Sequence, residues 1–80
     1  MSASRRQAAR AFGQALRAAR LLRGISQEQL AENGDFDRTY PSLLERELRT
    51  PTFFVIVSLA EGLGTDPVDL FTDAVARLRG

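Results

Sequence analysis

An all-α fold is predicted for this 80-residue chain by three features of its sequence. Residues 7–23 are strong helix formers whose apolar positions recur with the period of about 3.6 expected of an amphipathic helix. Ser, Thr or Asp ahead of such runs, and Gly behind them, give start and stop signals for five helices. No segment alternates with a period of two for long, and there are no internal repeats and no linker. The expectation is one compact five-helix bundle over residues 10–80, with residues 1–9 as a frayed, solvated N-terminal extension.

The first helix, QAARAFGQALRAARLLR over residues 7–23, carries an apolar stripe through Ala8, Phe12, Leu16, Ala19 and Leu22, and Gly24 ends it as the residue just past the helix. Ser26 opens the second helix, with Glu or Gln at the position that completes a capping box, and Leu30 and Ala31 face inward. Asn33, Gly34 and Asp35 break it. Asp37 can cap a third helix running to about Glu47. Thr50 or Thr52 caps a fourth helix from Phe53 to Gly62, stopped by Gly62 or Gly64. TFFVIVSLA within it is β-branched enough for a strand, but its flanks and the lack of a pairing partner favour helix. Thr65-Asp66-Pro67-Val68-Asp69 starts the fifth, with a cap, Pro in the first turn and acids at the positive helix end. That helix covers about Pro67–Leu78.

Composition bounds the function. With no Cys and no His, disulfides and the usual transition-metal ligand sets are excluded. The absence of a phosphate-cradling Gly loop also argues against an enzyme, and no cofactor is implied. Asp66, Asp69 and Asp73 suggest a cation site only weakly, since two of them are explained by helix-start electrostatics. No apolar run approaches the roughly 20 residues needed to cross a bilayer, and MSASRRQAAR lacks the apolar region of a secretory signal. A cytoplasmic protein without membrane contact is expected. Net charge is +1, but residues 1–34 carry six Arg against Glu28 and Glu32, whereas residues 35–80 carry five Arg against eight acids. All basic residues are Arg. The Arg fork suits phosphate and guanine edges, although a GC-rich coding bias is the simpler reading.

Ile25–Pro51 reads as two short helices joined by a tight turn, the second presenting Arg, Thr, Tyr, Ser and Arg side chains. That is the geometry by which a small domain inserts a helix into the DNA major groove. Further on, Phe53, Ile56, Leu59, Ala60 and Leu63 form a core stripe, which leaves Phe54 and Val57, and with them Val55, pointing elsewhere. Large exposed apolar side chains mark a contact surface. With Leu70, Phe71 or Val75 they would form a two-fold dimer seam, and docking of a different protein is the competing use.

The order of residues resembles the Cro/repressor-type helix-turn-helix domains, the XRE family. The match runs through Phe12-Gly13, Leu16-Arg17, Arg20, Gly24-Ile25-Ser26-Gln27, Leu30-Ala31, Arg38-Thr39-Tyr40, Ser42, Glu45, Pro51, Leu59-Ala60, Leu63-Gly64 and Leu70-Phe71, about residues 10–71. The resemblance implies a repressor-like five-helix bundle that binds operator DNA as a homodimer, as small single-domain regulators such as restriction–modification controller proteins do. It implies that Gln27 hydrogen-bonds a phosphate and braces the next helix, beside the plainer reading of a capping partner for Ser26. It implies that Arg38, Thr39 and Leu43 face base edges, with Ser42 and Arg46 on the same face. Arg38 is then the guanine reader, through O6 and N7. Arg46 and Arg49 suit phosphates. Arg20 and Glu45 are the family's structural ion pair. Phe54, Val57, Phe71 and Val75 are the expected dimer contacts. Arg5, Arg6 and Arg10 are either an arm on the DNA or, as preferred here, part of the solvated extension.

Three positions depart from the family pattern. Pro41 replaces an aliphatic residue, removes a helical hydrogen bond and disfavours α geometry at Tyr40. The third helix can therefore start late, with Arg38 and Thr39 on a loop ahead of it. Asp35 stands where the family has Gly, so either Asp35 takes positive φ or the turn is rebuilt around Gly34. Glu47 replaces the Gly that usually follows the helix. The expected function is sequence-specific DNA binding to a two-fold operator. The alternative is a protein-interaction module, or antitoxin-like partner, that keeps the fold with weak or no DNA reading.

Overall fold

The computed structural model describes residues 3–80 and contains five helices: α1 Arg5–Arg23, α2 Gln27–Asn33, α3 Tyr40–Glu45, α4 Phe53–Leu63 and α5 Pro67–Arg79. The all-α expectation holds, with no strand among the described residues.

Local chemistry explains most boundaries. Ser4 accepts from the Gln7 backbone N–H while the Gln7 side chain accepts from the Ser4 N–H, a reciprocal capping box that starts α1. The helix therefore opens two residues ahead of the expected start. Residues 5–9 are its first turns rather than a frayed extension, with Ala9 buried; Met1 and Ser2 lie outside the described residues. Gly24, at φ 70°, ends α1. Ser26 and Gln29 form a second capping box at α2. Thr52 caps α4 through the Val55 N–H, Asp66 caps α5 through the Val68 N–H, and Gly64 at φ 71° closes α4.

The turn into α3 settles the alternatives left by Asp35 and Pro41. Asp35 takes φ 59°, and the Phe36 N–H donates to the Ala31 carbonyl at 2.8 Å. Asp37 does not cap α3 directly. Its carboxylate accepts from the Thr39 N–H (2.9 Å) and hydroxyl (2.6 Å), a short Asx-type turn. The helix begins only at Tyr40, with Pro41 in its first turn, where a missing N–H leaves no helical bond unmade. At the other end Glu47 adopts φ 66°, so α3 stops at Glu45 rather than near Glu47.

Leu16, Leu30, Leu44, Leu59 and Pro41 are the largest fully buried side chains, joined in the core by Phe12, Ala15, Leu63 and Leu70. α1 packs on α3 and α5, α2 on α3 and α4, and α4 on α5. Gly13 allows the α1–α3 contact, because a Cβ there would stand 2.7 Å from the Leu44 carbonyl oxygen. Two expected core residues are outside. Leu22 is 86% exposed. Arg20 takes the inward position one turn after Leu16, and Leu22 then lies about 200° around the helix from it. Phe53, expected in the α4 stripe, is 83% exposed and lies at the first position of α4, beside the open groove that Val68 and Phe71 of α5 also line.

Candidate nucleic-acid interface

One buried cluster fixes the N-terminus of α2 against the end of α3. Arg20, on α1, donates from Nε to Glu45 Oε2 (2.7 Å) and from Nη2 to Glu45 Oε1 (3.0 Å). Its Nη1 donates to the Ile25 carbonyl just before α2 (3.0 Å). The Gln27 side chain adds a third donor to Glu45, from Nε2 to Oε1 at 3.1 Å. The Arg20 and Glu45 side chains are only 11% and 3% exposed. The hydrogen bond to Glu45 raises the pKa of Arg20 further, outweighing the opposing effect of burial. No buried side-chain nitrogen or oxygen of this cluster lacks a hydrogen-bond partner, which is the condition under which a buried pair is tolerated. Three elements are thereby tied together.

The rest of the expected reading face is arranged differently from a continuous helix. Arg38 and Thr39 lie in the turn ahead of α3, both exposed. Arg38 Nη2 donates to Glu28 Oε2 at 3.0 Å, between side chains 75% and 71% exposed. Such an exposed pair contributes little and is readily exchanged for another partner. The Thr39 hydroxyl and N–H are engaged with Asp37, and those two bonds, side chain first, hold the Asp37 carboxyl below its ordinary value. Ser42 and Leu43 are half-buried on α3, while Arg46 and Arg49 are exposed. Arg49 Nη1 folds back on the Leu48 carbonyl.

On the opposite side, an apolar groove of about 510 Å³ runs between α4 and α5, lined by Phe53, Ile56, Val57, Pro67, Val68 and Phe71. It brings the expected contacts Val57 and Phe71 together. Val75 sits in a neighbouring depression that Ile56 and Phe71 also line. Phe54, though 74% exposed, is not among the groove-lining residues. Phe53 and Val68 were missed as surface candidates, yet the spacing of Phe53 with Ile56 and Val57 on α4, and of Val68 with Phe71 on α5, places each set along one helical face. No group of three His, Cys, Asp or Glu that could hold a metal comes together among the described residues. No helix among them is long and apolar enough to cross a membrane.

A family model described as helix-turn-helix matches residues 16–70. The chain belongs to the helix-turn-helix family. It is a family of DNA-binding regulators and not of enzymes. The sequence is 41% identical over 50 residues to an uncharacterized HTH-type transcriptional regulator, y4dJ, of Sinorhizobium fredii, across 62% of this chain and 65% of that protein, just under two thirds of its length. It is 42% identical over 60 residues to the control protein C.BamHI of Bacillus amyloliquefaciens, across 74% of each. Among solved structures, the restriction-modification controller protein C.Esp1396I, captured as a tetramer in complex with its natural 35 base-pair operator, is similar with a TM-score of 0.82 and 27% identity, over 91% of this chain and 96% of that one. The helix-turn-helix controller-protein fold is therefore shared along nearly the whole chain.

Proposed function

We propose that this helix-turn-helix protein is a cytoplasmic, sequence-specific transcriptional regulator that binds a two-fold DNA operator as a homodimer, with α3 in the major groove and residues 10–80 as the DNA-binding domain. The observation that carries the reading is the buried Arg20–Glu45–Gln27 cluster. It fixes α3 against the start of α2 and leaves Arg38, Thr39 and Arg46 outside and exposed. The polar edge is thus held by a rigid base, as recognition of base edges requires. Arg38 reads guanine after leaving Glu28, Thr39 and Leu43 meet thymine methyl groups, Ser42 sits beside them, and Gln27, Arg46 and Arg49 contact phosphates, which position the protein without specifying sequence.

The apolar groove supports the dimer. Phe53, Val68 and Phe71 are 83%, 65% and 55% exposed, a cluster that a soluble monomer rarely leaves uncovered. A second copy seated there by two-fold symmetry covers Val57 and Phe71, with Phe54 and Val75 at the margin. The two α3 helices then address major grooves roughly 34 Å apart. The tetramer of C.Esp1396I on its operator lends support by likeness.

Selection of bound DNA from a random pool, followed by gel shifts at several salt concentrations and by sedimentation, tests the proposal. A two-fold motif bound by a dimer, with affinity falling steeply with salt, is the expected result. A folded dimer that retains no DNA at low salt would overturn it and favour a protein-interaction role, for which the off-helix placement of Arg38 and Thr39 is the supporting observation.

A further inference from the structure

Arg5 and Arg6, in the first turn of α1, line an open cleft of about 250 Å³ together with Glu47, Leu48, Arg49 and Thr50 from the connection after α3. The three guanidinium groups are exposed. None of them makes an ion pair among the described residues, where the pairs are Arg20–Glu45, Arg38–Glu28 and Arg77–Asp73. Helix stability does not explain Arg5 and Arg6. Cations at the positive end of a helix oppose its peptide dipoles, and the first turn of α1 holds no acid to offset them.

The position of the cleft gives these residues a use. Glu28 stands at the entry to α3, where it holds Arg38 at 3.0 Å, while the Gln27 side chain reaches Glu45, the last residue of α3, at 3.1 Å. The Arg5–Arg6–Arg49 cleft stands at its exit. Six helical residues span about 9 Å, and a major groove about 12 Å wide has a phosphate strand on either side. An element lying in the groove therefore has one strand near each end. We propose that Arg5 and Arg6, with Arg49, clamp the phosphates of the strand at the exit of α3, which makes the start of α1 a third DNA-contacting element. The proposal rests on the DNA-binding reading above and adds to it residues that have no part in the assigned base reading. Glu47, the one acid in the cleft, opposes the clamp and limits its grip.

The test is a fluorescence-anisotropy titration of the selected operator and of an unrelated duplex, between about 50 and about 200 mM salt. The proteins compared are the wild type, the double variant Arg5→Gln/Arg6→Gln, Arg10→Gln and Glu47→Gln. Loss of two phosphate contacts makes the slope of log K against log salt shallower by about 1.8. The deficit of the double variant then shrinks roughly tenfold across that range, equally on both duplexes. Arg10 lines a different cleft, with Gln14 and Arg77, so Arg10→Gln leaves the slope unchanged, and Glu47→Gln tightens both complexes. Circular-dichroism melts of the double variant at or above the wild-type temperature show that its fold is intact. An unchanged slope in the double variant, with the wild type still binding its operator, overturns the clamp and leaves the DNA reading standing. So does a loss confined to the operator, which marks a base contact instead. A wild type that binds neither duplex overturns both.

Discussion

Removing one member of the Arg20–Glu45 pair should destabilise the protein far more than removing both. In Arg20→Met the Glu45 carboxylate, 3% exposed, keeps only the Gln27 amide as a donor. A buried charge stripped of its partner costs roughly 3–5 kcal/mol, against a total stability for small domains of about 5–15 kcal/mol. For a chain of this length each kcal/mol moves the melting temperature by about 4–8 °C, so a fall of at least about 12 °C is expected. Glu45→Leu should behave similarly, leaving Arg20 with the Ile25 carbonyl alone. The double variant Arg20→Met/Glu45→Leu removes both charges and refills the space with apolar groups. What remains is the loss of two neutral hydrogen-bond partners, at Gln27 and Ile25, about 1 kcal/mol each. Each single cost should therefore exceed the double by about 1–3 kcal/mol, and the two singles together by about 4–8 kcal/mol. Urea unfolding of the four proteins closes the cycle, and Glu28→Ala, which breaks only the exposed pair with Arg38, is the reference that should stay within about 0.5 kcal/mol. Single costs below about 1 kcal/mol that add up in the double variant would refute the argument, because they are the signature of a solvated pair.

Three further outcomes are expected. Arg38→Ala should relax sequence preference at one base pair by about 1–3 kcal/mol, whereas Arg49→Ala should weaken all sequences alike; binding to a panel of singly substituted operators separates the two. Asp37 is held below its ordinary value near 3.8 by the bonds from Thr39. Because the folded value is depressed, the stabilisation it gives the turn is complete above about 3.8 and is lost as pH falls through the lower folded value. The Thr39 amide shift should follow that acid transition, and a midpoint at or above 3.8 would contradict it. Gly13→Ala should cost about 1–3 kcal/mol, since its Cβ meets the Leu44 carbonyl oxygen at 2.7 Å and a backbone atom cannot step aside as a flexible side chain can; a melt unchanged from wild type would mean that α1 and α3 separate easily.

Helix limits set by neighbours in sequence were legible. Ser26 with Gln29, Gly24, and Asp66 before Pro67 each act within one turn, and the structure uses all of them. Ser4 and Gln7 had the same spacing, but the Arg residues between and beside them read as a solvated tail and hid the cap. Features that depend on a distant partner were not legible. Phe53 looked like core because its spacing suits the buried stripe, yet it stands at the first position of α4 and lines an open groove instead. Nothing in the order of residues indicates that Glu28 meets Arg38, since that contact follows from the late start of α3 imposed by Pro41. The same late start is why the expected reading face divides into a turn part and a helical part.

Gln27 connects the stability of this fold to the proposed reading of DNA. A side-chain amide has two N–H donors, and one of them is given to Glu45 at 3.1 Å. The bracing role and the phosphate role therefore do not compete, because the second N–H remains for an oxygen outside the protein. The first bond also turns the amide so that it is fixed by a carboxylate that Arg20 holds from the far side. Fixing the donor before binding lowers the rotamer entropy lost when the phosphate arrives. Arg38 is arranged the other way. It is long, exposed and held only by an exposed acid, so it gives up little to exchange Glu28 for a base edge. In the proposed reading, position is carried by a buried network that strongly resists change, and sequence preference by a side chain that is easily exchanged. A change in the turn ahead of α3 would then alter the proposed sequence preference while leaving the Arg20–Glu45–Gln27 base intact.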